Sequence, residues 1–122
     1  MNANIVYHND AEPQDLGGGV SRRVLAYTPM LMIVEVSFEK GSTGALHSHP
    51  HCQNTYILSG RFRFTVGGTS STSGEGNTFP EDVEVASGDS MAFQANVPHS
   101  TICLEAGTLL DIFTHMREDF VS

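Results

Sequence analysis

The sequence predicts an all-β fold, an antiparallel sandwich or barrel built from many short strands. Short apolar stretches recur from Val20 onward, glycine-containing turns separate them, and no helical segment lies between them. A chain of 122 residues has room for one domain, and at this size a core can be buried without disulfide bonds. We therefore expect a single all-β domain.

Apolar stretches account for the predicted strands, in chain order 24–27, 31–38, 56–58, 62–66, 83–86, 91–93, 102–104 and 109–113. Apolar side chains take every second position in residues 32–38 and 62–66, which gives each of these strands one dry and one wet face. Turn pairs that close hairpins fall between the stretches: Ser59-Gly60, Gly67-Gly68, Gly88-Asp89 and Ala106-Gly107. The pattern favours strands joined by short connections.

The barrel is expected to span residues 20–122, preceded by an N-terminal arm at residues 1–19. The arm is polar and patternless apart from Ile5, Val6 and Tyr7, and a run of three glycines ends it with a flexible break. Residues 67–82 are rich in Ser, Thr and Gly, too polar for a core and too long for a tight turn, and predict a surface loop. This polar loop is either a solvated excursion or a lid over the site.

Charge and composition exclude several classes of partner. A net charge of -8 with six Lys and Arg leaves no basic surface for a phosphate backbone, so we expect no nucleic acid. No apolar stretch follows a basic start and no long apolar run occurs, so we expect neither export nor a membrane span, and a cytoplasmic location. Two cysteines, Cys52 and Cys103, are too few for a disulfide scaffold and are expected to be free thiols near the site.

Histidine and glutamine side chains between Gly41 and Gly60 predict a metal site. In a straight strand His47 and Gln53 would lie roughly 20 Å apart at ~3.3 Å per residue, whereas ligands of one ion lie only ~3 Å from one another. The chain must therefore fold back after His49, where Pro50 supports a bend. We expect two neighbouring strands to carry His47, His49 and Gln53, and a third strand to bring His99. His51 lies in the bend, either at the rim or as a further ligand.

A second group of candidates lies near the carboxyl end. Asp111 and Phe113 share a strand face with apolar neighbours, and burial raises an Asp pKa while an adjacent cation lowers it. Asp111 is therefore either a proton shuttle near neutral pH or a satisfied structural carboxylate. Arg117 either reaches back to a carboxylate or pairs with an acidic neighbour at the surface. Phe113 is either ordinary core or a wall against which a sugar ring packs.

Two stretches of the chain resemble the motifs of the cupin superfamily. Residues 41–60 resemble the first motif, G-x(5)-H-x-H-x(3)-E-x(6)-G, in every spacing, with Gln53 in place of the glutamate. Residues 88–103 resemble the second, G-x(5)-P-x-G-x(2)-H-x(3)-N, and keep Gly88 and His99 but carry Gln94, Asn96 and Cys103 at its Pro, Gly and Asn positions. The resemblance implies a single-domain cupin, a double-stranded β-helix (jelly-roll) barrel with the metal inside its mouth.

The ligand set affects the charge of the expected ion. Three neutral imidazoles and the amide of Gln53 leave a divalent ion with its full charge, which makes it a better Lewis acid toward an anionic or hydroxylated substrate. Mixed nitrogen and oxygen ligands with open positions suit Ni, Zn, Mn, Fe or Co. We expect one divalent transition metal ion as cofactor.

A narrower resemblance is to the pectin-degradation cupins of the KdgF type, which act on unsaturated monouronates. It is carried by the stretches DLGGGVSRRVLAY, MIVEVSFEKGSTGALHSHPH, YILSGRFRFTVGG and LLDIFTHMREDF. In that family three histidines and a glutamine hold the metal, and a D-x-F-x(3)-R arrangement serves the substrate. This implies His47, His49, Gln53 and His99 as metal ligands and Asp111, Phe113 and Arg117 as catalytic residues.

The resemblance implies a metal-dependent, isomerase-type enzyme. It would open the ring of 4,5-unsaturated monouronates from pectin or alginate and give the linear 4-deoxy-5-keto uronate, with a small anionic sugar as its partner. Two alternatives stay open, a cupin dioxygenase that uses O2 and a non-catalytic sugar-binding cupin. A homodimer is also expected, because residues 31–38 are apolar enough on both sides to need cover and similar cupins commonly pair.

Overall fold

The computed structural model describes residues 2–67 and 80–121, which form ten β-strands and one short α-helix. The strands are β1 Gln14–Gly17, β2 Val20–Thr28, β3 Leu31–Phe38, β4 Thr43–His47, β5 Cys52–Ile57, β6 Arg61–Val66, β7 Glu81–Ala86, β8 Ser90–Phe93, β9 His99–Glu105 and β10 Gly107–Thr114. The helix α1 covers Glu118–Val121, and a single 3-10 turn covers His8–Asp10. None of the helices among these residues is long and apolar enough to cross a membrane.

The strands form two antiparallel sheets. One has six strands in the order β1-β2-β3-β10-β5-β8, and the other has four in the order β4-β9-β6-β7. Consecutive strands β4 and β5 therefore lie in different sheets, as do β5 and β6, and β9 and β10. This alternation between two facing sheets is the jelly-roll arrangement, and the predicted all-β fold is confirmed.

The core lies between the two sheets, on the faces that alternation predicted. Met32 and Val34 of β3 are fully buried, and so is Phe62 of β6. Phe62 packs edge-on against Phe38, with ring centroids 5.2 Å apart. Burial of such side chains contributes about 1.5–3 kcal/mol each, so these strands supply much of the stability that holds the site in place.

Two boundaries differ from the sequence expectation. Strand β1 lies inside the predicted arm and pairs with β2, although all four of its residues are exposed. Backbone hydrogen bonds form this hairpin, so no apolar alternation marks it. Strand β7 begins at Glu81, inside the predicted polar loop of residues 67–82, because residues 81 and 82 pair with the end of β6. The rest of that loop, residues 68–79, lies outside the described residues.

The described part of the arm is docked against β2 and β3. Arg23 Nη1 donates hydrogen bonds to the backbone carbonyls of His8 (3.2 Å) and Ala11 (2.6 Å). His8 Nε2 lies 3.0 Å from a carboxylate oxygen of Glu35. The Glu35 hydrogen bond raises the pKa of His8 above its usual value. Polar contacts to one side chain of each strand, Arg23 of β2 and Glu35 of β3, therefore hold this part of the arm.

The two cysteines are free thiols in different surroundings. Cys52 is exposed at the start of β5, whereas Cys103 is buried in the core. The Cys103 thiol donates to the carbonyl of Glu105 at 3.0 Å, and burial raises its pKa. Strand β9 turns the Cys103 side chain into the packed interior, and the expectation that both thiols lie near the site stays a prediction.

Gly60, the last residue of the first motif, marks a close approach of two chain segments. Its φ is 83°, and a Cβ there would lie 2.6 Å from the carbonyl oxygen of Glu105. Only glycine combines a positive φ with so little room. The hairpin between β5 and β6 thus depends on this position, whereas Gly41 (φ 85°) has open space around its missing Cβ.

Candidate functional site

Three histidines converge at one end of the space between the sheets. His47 and His99 are directly opposite each other in the antiparallel pair β4–β9, and His49 follows β4 by two residues. One ring nitrogen of each lies within 4.8 Å of the others. His49 and His99 are buried and His47 is exposed, so the group lies at an opening and not deep in the core.

Backbone carbonyls orient all three rings in the same way. His47 Nδ1 donates to the carbonyl of Ala45 (2.7 Å), His49 Nδ1 to that of His51 (3.0 Å), and His99 Nδ1 to that of Val97 (3.0 Å). A carbonyl only accepts, so in a neutral ring the proton is on Nδ1 and the lone pair on Nε2. Metal-binding histidines are commonly oriented by such a contact.

Burial favours the neutral form of the two buried rings, His49 and His99. It lowers the pKa of His99 to about 4, and it also lowers the pKa of His49. His99 Nε2 is buried and has no hydrogen-bond partner among the described residues. A neutral imidazole with a bare, buried lone pair is in the form that binds a metal ion.

Gln53, the second residue of β5, brings an oxygen from the other sheet. Its Nε2 donates to Thr55 Oγ1 (2.9 Å) and to Asp111 Oδ1 (3.0 Å), which leaves Oε1 facing His49 Nε2 at 2.9 Å. A neutral His49 has one proton for two acceptors, Oε1 and the carbonyl of His51. If the proton is on Nδ1, two lone pairs meet at 2.9 Å.

The donors fit a divalent transition metal. Three imidazole nitrogens and one amide oxygen converge with their protons directed away, and a separation of 2.9 Å equals the ~3 Å expected between two ligands of one ion. The lone-pair conflict at Gln53 and the unpartnered His99 Nε2 are both relieved by a cation. The four residues predicted as ligands are therefore brought together, and the chemistry of the set leaves the choice of metal open.

Asp111 lies directly behind this group, on β10, opposite Thr55 of β5. Its Oδ1 accepts hydrogen bonds from Thr55 Oγ1 (2.7 Å) and Gln53 Nε2 (3.0 Å). Its position deep in the barrel raises its pKa to about 6, mainly because burial disfavours the charged form, and the two hydrogen bonds oppose that effect. Asp111 still borders open space, so it is half-buried and accessible from one side.

A cavity of about 280 Å3 joins these groups. This is slightly below the range of roughly 300–1,000 Å3 typical of pockets for drug-sized ligands, which favours a small molecule. Its walls include the predicted ligands His47, Gln53 and His99 and the predicted catalytic residues Asp111, Phe113 and Arg117. One opening therefore reaches both groups of candidates.

The chain matches a family model and several known proteins. The model of the cupin domain matches residues 34–113. The chain belongs to the cupin family. It is also 31% identical over 110 residues to the pectin degradation protein KdgF of Dickeya dadantii (strain 3937), covering 88% of this chain and 89% of that protein. It is therefore a cupin related to the KdgF type.

Solved cupin structures agree with this fold. An RmlC-like cupin from Shewanella frigidimarina NCIMB 400 superposes with a TM-score of 0.82 at 31% identity, covering 98% of this chain and 96% of that one. KdgF from Halomonas sp. superposes with a TM-score of 0.81 at 27% identity, covering 96% and 99%. Oxalate decarboxylase from Bacillus subtilis superposes at 0.80 with 20% identity over 32% of its chain, a likeness of fold alone.

The structure explains why this chain can carry asparagine at the glycine position of the second cupin motif. Asn96 stands where the motif has glycine, and its φ is 65°. Asn tolerates this left-handed conformation better than other residues with a side chain. Its backbone N–H donates to the carbonyl of His49 at 2.8 Å. The loop between β8 and β9 thus fixes the bend that places His49.

His51 lies at the rim of the cupin site, beside the three histidines. Its Nε2 donates to the carbonyl of Met116 at 3.1 Å, and its ring lies 4.5 Å from that of His115, centroid to centroid. Burial lowers its pKa. His51 therefore connects the bend to the segment after β10, and the sequence expectation of a rim position agrees with this placement.

Arg117 pairs with an acidic neighbour, which is one of the two alternatives left open by the sequence. It lines the cavity, yet Nε and Nη2 donate to the two carboxylate oxygens of Asp119 at 3.0 and 2.9 Å. Its guanidinium lies over Phe113, 5.3 Å from the ring centroid. Phe113 is likewise both core and wall, because it is 2% exposed and still borders the cavity.

Three residues of the site were not predicted. Thr55 is two residues past Gln53 on the same face of β5, so strand alternation could have found it. Arg22 breaks an apolar alternation between Val20 and Val24 on β2, and an arginine at an inward position is itself a signal. Phe120 comes from α1, after the last predicted strand, and no sequence pattern points to it.

Proposed function

We propose that this protein opens the ring of 4,5-unsaturated monouronates and releases the linear 4-deoxy-5-keto uronate. The relationship to KdgF supports a role in pectin degradation. The cavity supports the specific reaction, because it combines a candidate metal centre, a carboxyl group of raised pKa and the guanidinium of Arg117 in a space that fits one small sugar.

His47, His49, Gln53 and His99 would hold the divalent ion. The ion would supply Lewis-acid stabilisation of the negative charge that develops on the substrate as the ring opens. Arg117 would bind the carboxylate of the sugar, and Phe113 would form a flat wall for its ring.

Asp111 would move the proton. Its Oδ1 is occupied by Thr55 and Gln53, and within the described residues nothing is hydrogen-bonded to Oδ2. Oδ2 would take the proton of the anomeric hydroxyl while the bond between C1 and the ring oxygen breaks. The electron pair of that bond goes to the former ring oxygen, which gives an aldehyde at C1 and an enolate at C5. The same proton would then pass from Asp111 to C4 as the enolate becomes the 5-ketone, so protons and electron pairs balance.

The observation that carries this proposal is the contact between Asp111 and Gln53. A carboxyl group whose pKa is raised to about 6 can both accept and return a proton near neutral pH. It lies one hydrogen bond from a candidate ligand, so proton transfer and charge stabilisation would act on the same bound molecule.

The test follows the ultraviolet absorbance of the conjugated C4–C5 double bond in freshly prepared unsaturated galacturonate. Metal-loaded protein should speed its loss well beyond the uncatalysed rate in buffer. The reaction should proceed equally under strict anaerobiosis, which distinguishes it from a dioxygenase. Equal rates with and without protein would reject the reaction and leave the sugar-binding alternative.

The expectations of a homodimer and of a cytoplasmic location also stay proposals. Light scattering checks the first. A mass of one chain at micromolar concentration would contradict it.

A further inference from the structure

Arg22 is the cationic side chain of the cavity that the proposed reaction does not use. It lies on β2 opposite Val36 of β3, and strand alternation places it on the same face as Val20 and Val24. Both valines belong to the core or pack against it. Arg22 nevertheless lines the cavity together with Asp111 and Arg117. A cation at an inward position requires a partner or a function.

Two contacts fix the Arg22 guanidinium without occupying its outer nitrogens. Nε donates to Gln14 Oε1 at 2.7 Å, and the guanidinium carbon lies over the Phe120 ring at 3.8 Å from the centroid. Within residues 2–67 and 80–121, neither terminal nitrogen has a hydrogen-bond partner. Burial lowers the pKa of Arg22, but an arginine stays charged in proteins. The side chain is therefore held in place with two donor groups available.

Among the described residues, no carboxylate is hydrogen-bonded to Arg22, although acidic groups lie near this pair of arginines. Arg117 also lies over the Phe120 ring, at 4.4 Å, and each arginine feels the charge of the other and of Asp119. Asp119 accepts both of its hydrogen bonds from Arg117. Asp111 also feels the charge of Arg117, but it accepts its hydrogen bonds from Thr55 and Gln53. An anion in the cavity would give the terminal nitrogens of Arg22 a charged partner.

We propose that Arg22 is a substrate-binding residue that selects for a carboxylate through its terminal nitrogens. It forms the second half of a two-arginine clamp, in which Phe120 keeps the two guanidinium groups at one wall of the cavity. This assignment rests on the proposed function for the identity of the anion, a uronate. It depends on the placement of Arg22 and not on the chemical step.

The competing explanation is structural, since Arg22 also ties the β1 hairpin to α1 through Gln14 and Phe120. Binding of two matched sugars separates the explanations. Galacturonate carries the carboxylate, and its methyl ester has nearly the same shape without the charge. Loss of an ionic contact weakens binding of the acid alone, whereas a distorted wall weakens binding of both.

The experiment measures dissociation constants of galacturonate and methyl galacturonate by titration calorimetry, with metal-loaded wild-type protein and the variants Arg22→Gln and Arg63→Gln. Arg63 is the control, because it makes the same charge change on an exposed stretch of β6 where it pairs with Glu84 at 3.4 Å. Wild-type protein should prefer the acid. Arg22→Gln should weaken galacturonate binding by about tenfold or more and leave ester binding unchanged, and Arg63→Gln should change neither.

Three results would overturn the proposal: unchanged galacturonate binding in Arg22→Gln, equal weakening of acid and ester, or a wild-type protein that does not prefer the acid. Turnover of unsaturated galacturonate by wild-type protein is measured in parallel. If Arg22→Gln loses the preference for the acid but the wild-type protein shows no turnover, this proposal stands and the reaction is rejected. If the wild-type protein turns over substrate but Arg22→Gln binds galacturonate as tightly as wild type, this proposal is rejected and the reaction stands.

Discussion

Asp111 Oδ1 accepts a 3.0 Å hydrogen bond from the side-chain amide of Gln53, and this contact joins the candidate proton-transfer group directly to a candidate metal ligand. The contact requires an amide. A glutamate, the usual residue of the cupin motif, has no N–H to donate and would set a second carboxylate against the first. The glutamine would therefore have two functions, as a neutral candidate ligand and as a donor to the acid.

The variant Gln53→Glu should still bind the metal but should turn over substrate more slowly. The carboxylate can still bind the ion, but it repels Asp111 and no longer orients it. We expect a decrease of about 10–100-fold in kcat, the size typical for groups that support a metal ligand, with unchanged metal content by mass spectrometry.

Asn54→Asp is the matched control for that variant. It makes the same change of charge on the adjacent, exposed residue of β5, whose side chain faces the other way. Its kcat should equal that of wild type. A Gln53→Glu enzyme of full activity would show that the amide of residue 53 is not needed.

Asp111→Asn should abolish most of the activity without disturbing the site. The amide oxygen of asparagine still accepts from Thr55 and Gln53, so the hydrogen-bond network stays, while the transferable proton is lost. We expect kcat to fall by about 10²–10⁴-fold, with metal content and Tm close to wild type. Undiminished turnover would remove Asp111 from the mechanism.

Divalent metal should raise the Tm of the metal-free protein. A ligand that binds only the folded state stabilises it by about 2.7 kcal/mol at a concentration of 100 Kd. His47→Ala should lose most of this rise, and because His47 is exposed, its own cost to the apo Tm is small. His115→Ala, a change at another exposed histidine, should keep the full rise. An equal rise in both variants would place the ion elsewhere.

Gly60→Ala should destabilise the fold more than Gly41→Ala. Both positions have positive φ, which costs a residue with a side chain about 1–2 kcal/mol. Only at Gly60 would the new Cβ also meet a backbone carbonyl, at 2.6 Å. Chemical denaturation should give a loss of about 1 kcal/mol for Gly41→Ala and of at least about 2 kcal/mol for Gly60→Ala. Equal losses of unfolding free energy would mean that the backbone around residue 60 shifts to make room for the new Cβ at no energetic cost.

His8 should titrate above its ordinary pKa, because Glu35 favours the charged ring. A raised folded-state pKa means that the contact stabilises the docked arm fully below about 6.5 and loses that contribution as pH rises through the folded value. NMR titration of the His8 ring checks the direction. Glu35→Gln should lower the His8 pKa toward that of an exposed histidine, and Glu39→Gln should leave it unchanged.

Alternation and ligand spacing carried most of the sequence prediction. Residues 31–38 and 62–66 alternate because one face of each strand is buried, and the bend after His49 follows from the reach of one ion. Strand β1 escaped detection because all of its residues are exposed and show no apolar alternation, and backbone hydrogen bonds form its pairing with β2. Backbone pairing leaves no mark on residue type.

Asp111 and the two arginines show which contacts of the site could not be predicted from the sequence. Strand alternation and the family resemblance both pointed to Asp111 and Phe113, but the contact between Asp111 and Gln53 depends on the register of β5 against β10. Arg22 is more than ninety residues from Arg117 in the chain, and Phe120 brings them together from a helix of one turn. Only the folded chain supplies such neighbours.

The four candidate ligands come from both sheets, with His47 and His99 on the four-stranded sheet and Gln53 on the six-stranded one. A cation at this point would link two sheets that share no backbone hydrogen bonds there. Binding of the ion would therefore also hold the two sheets together at the mouth of the barrel. Chelation should leave the far end of the sandwich intact and expose β4, an outer strand, first to proteases and to hydrogen exchange.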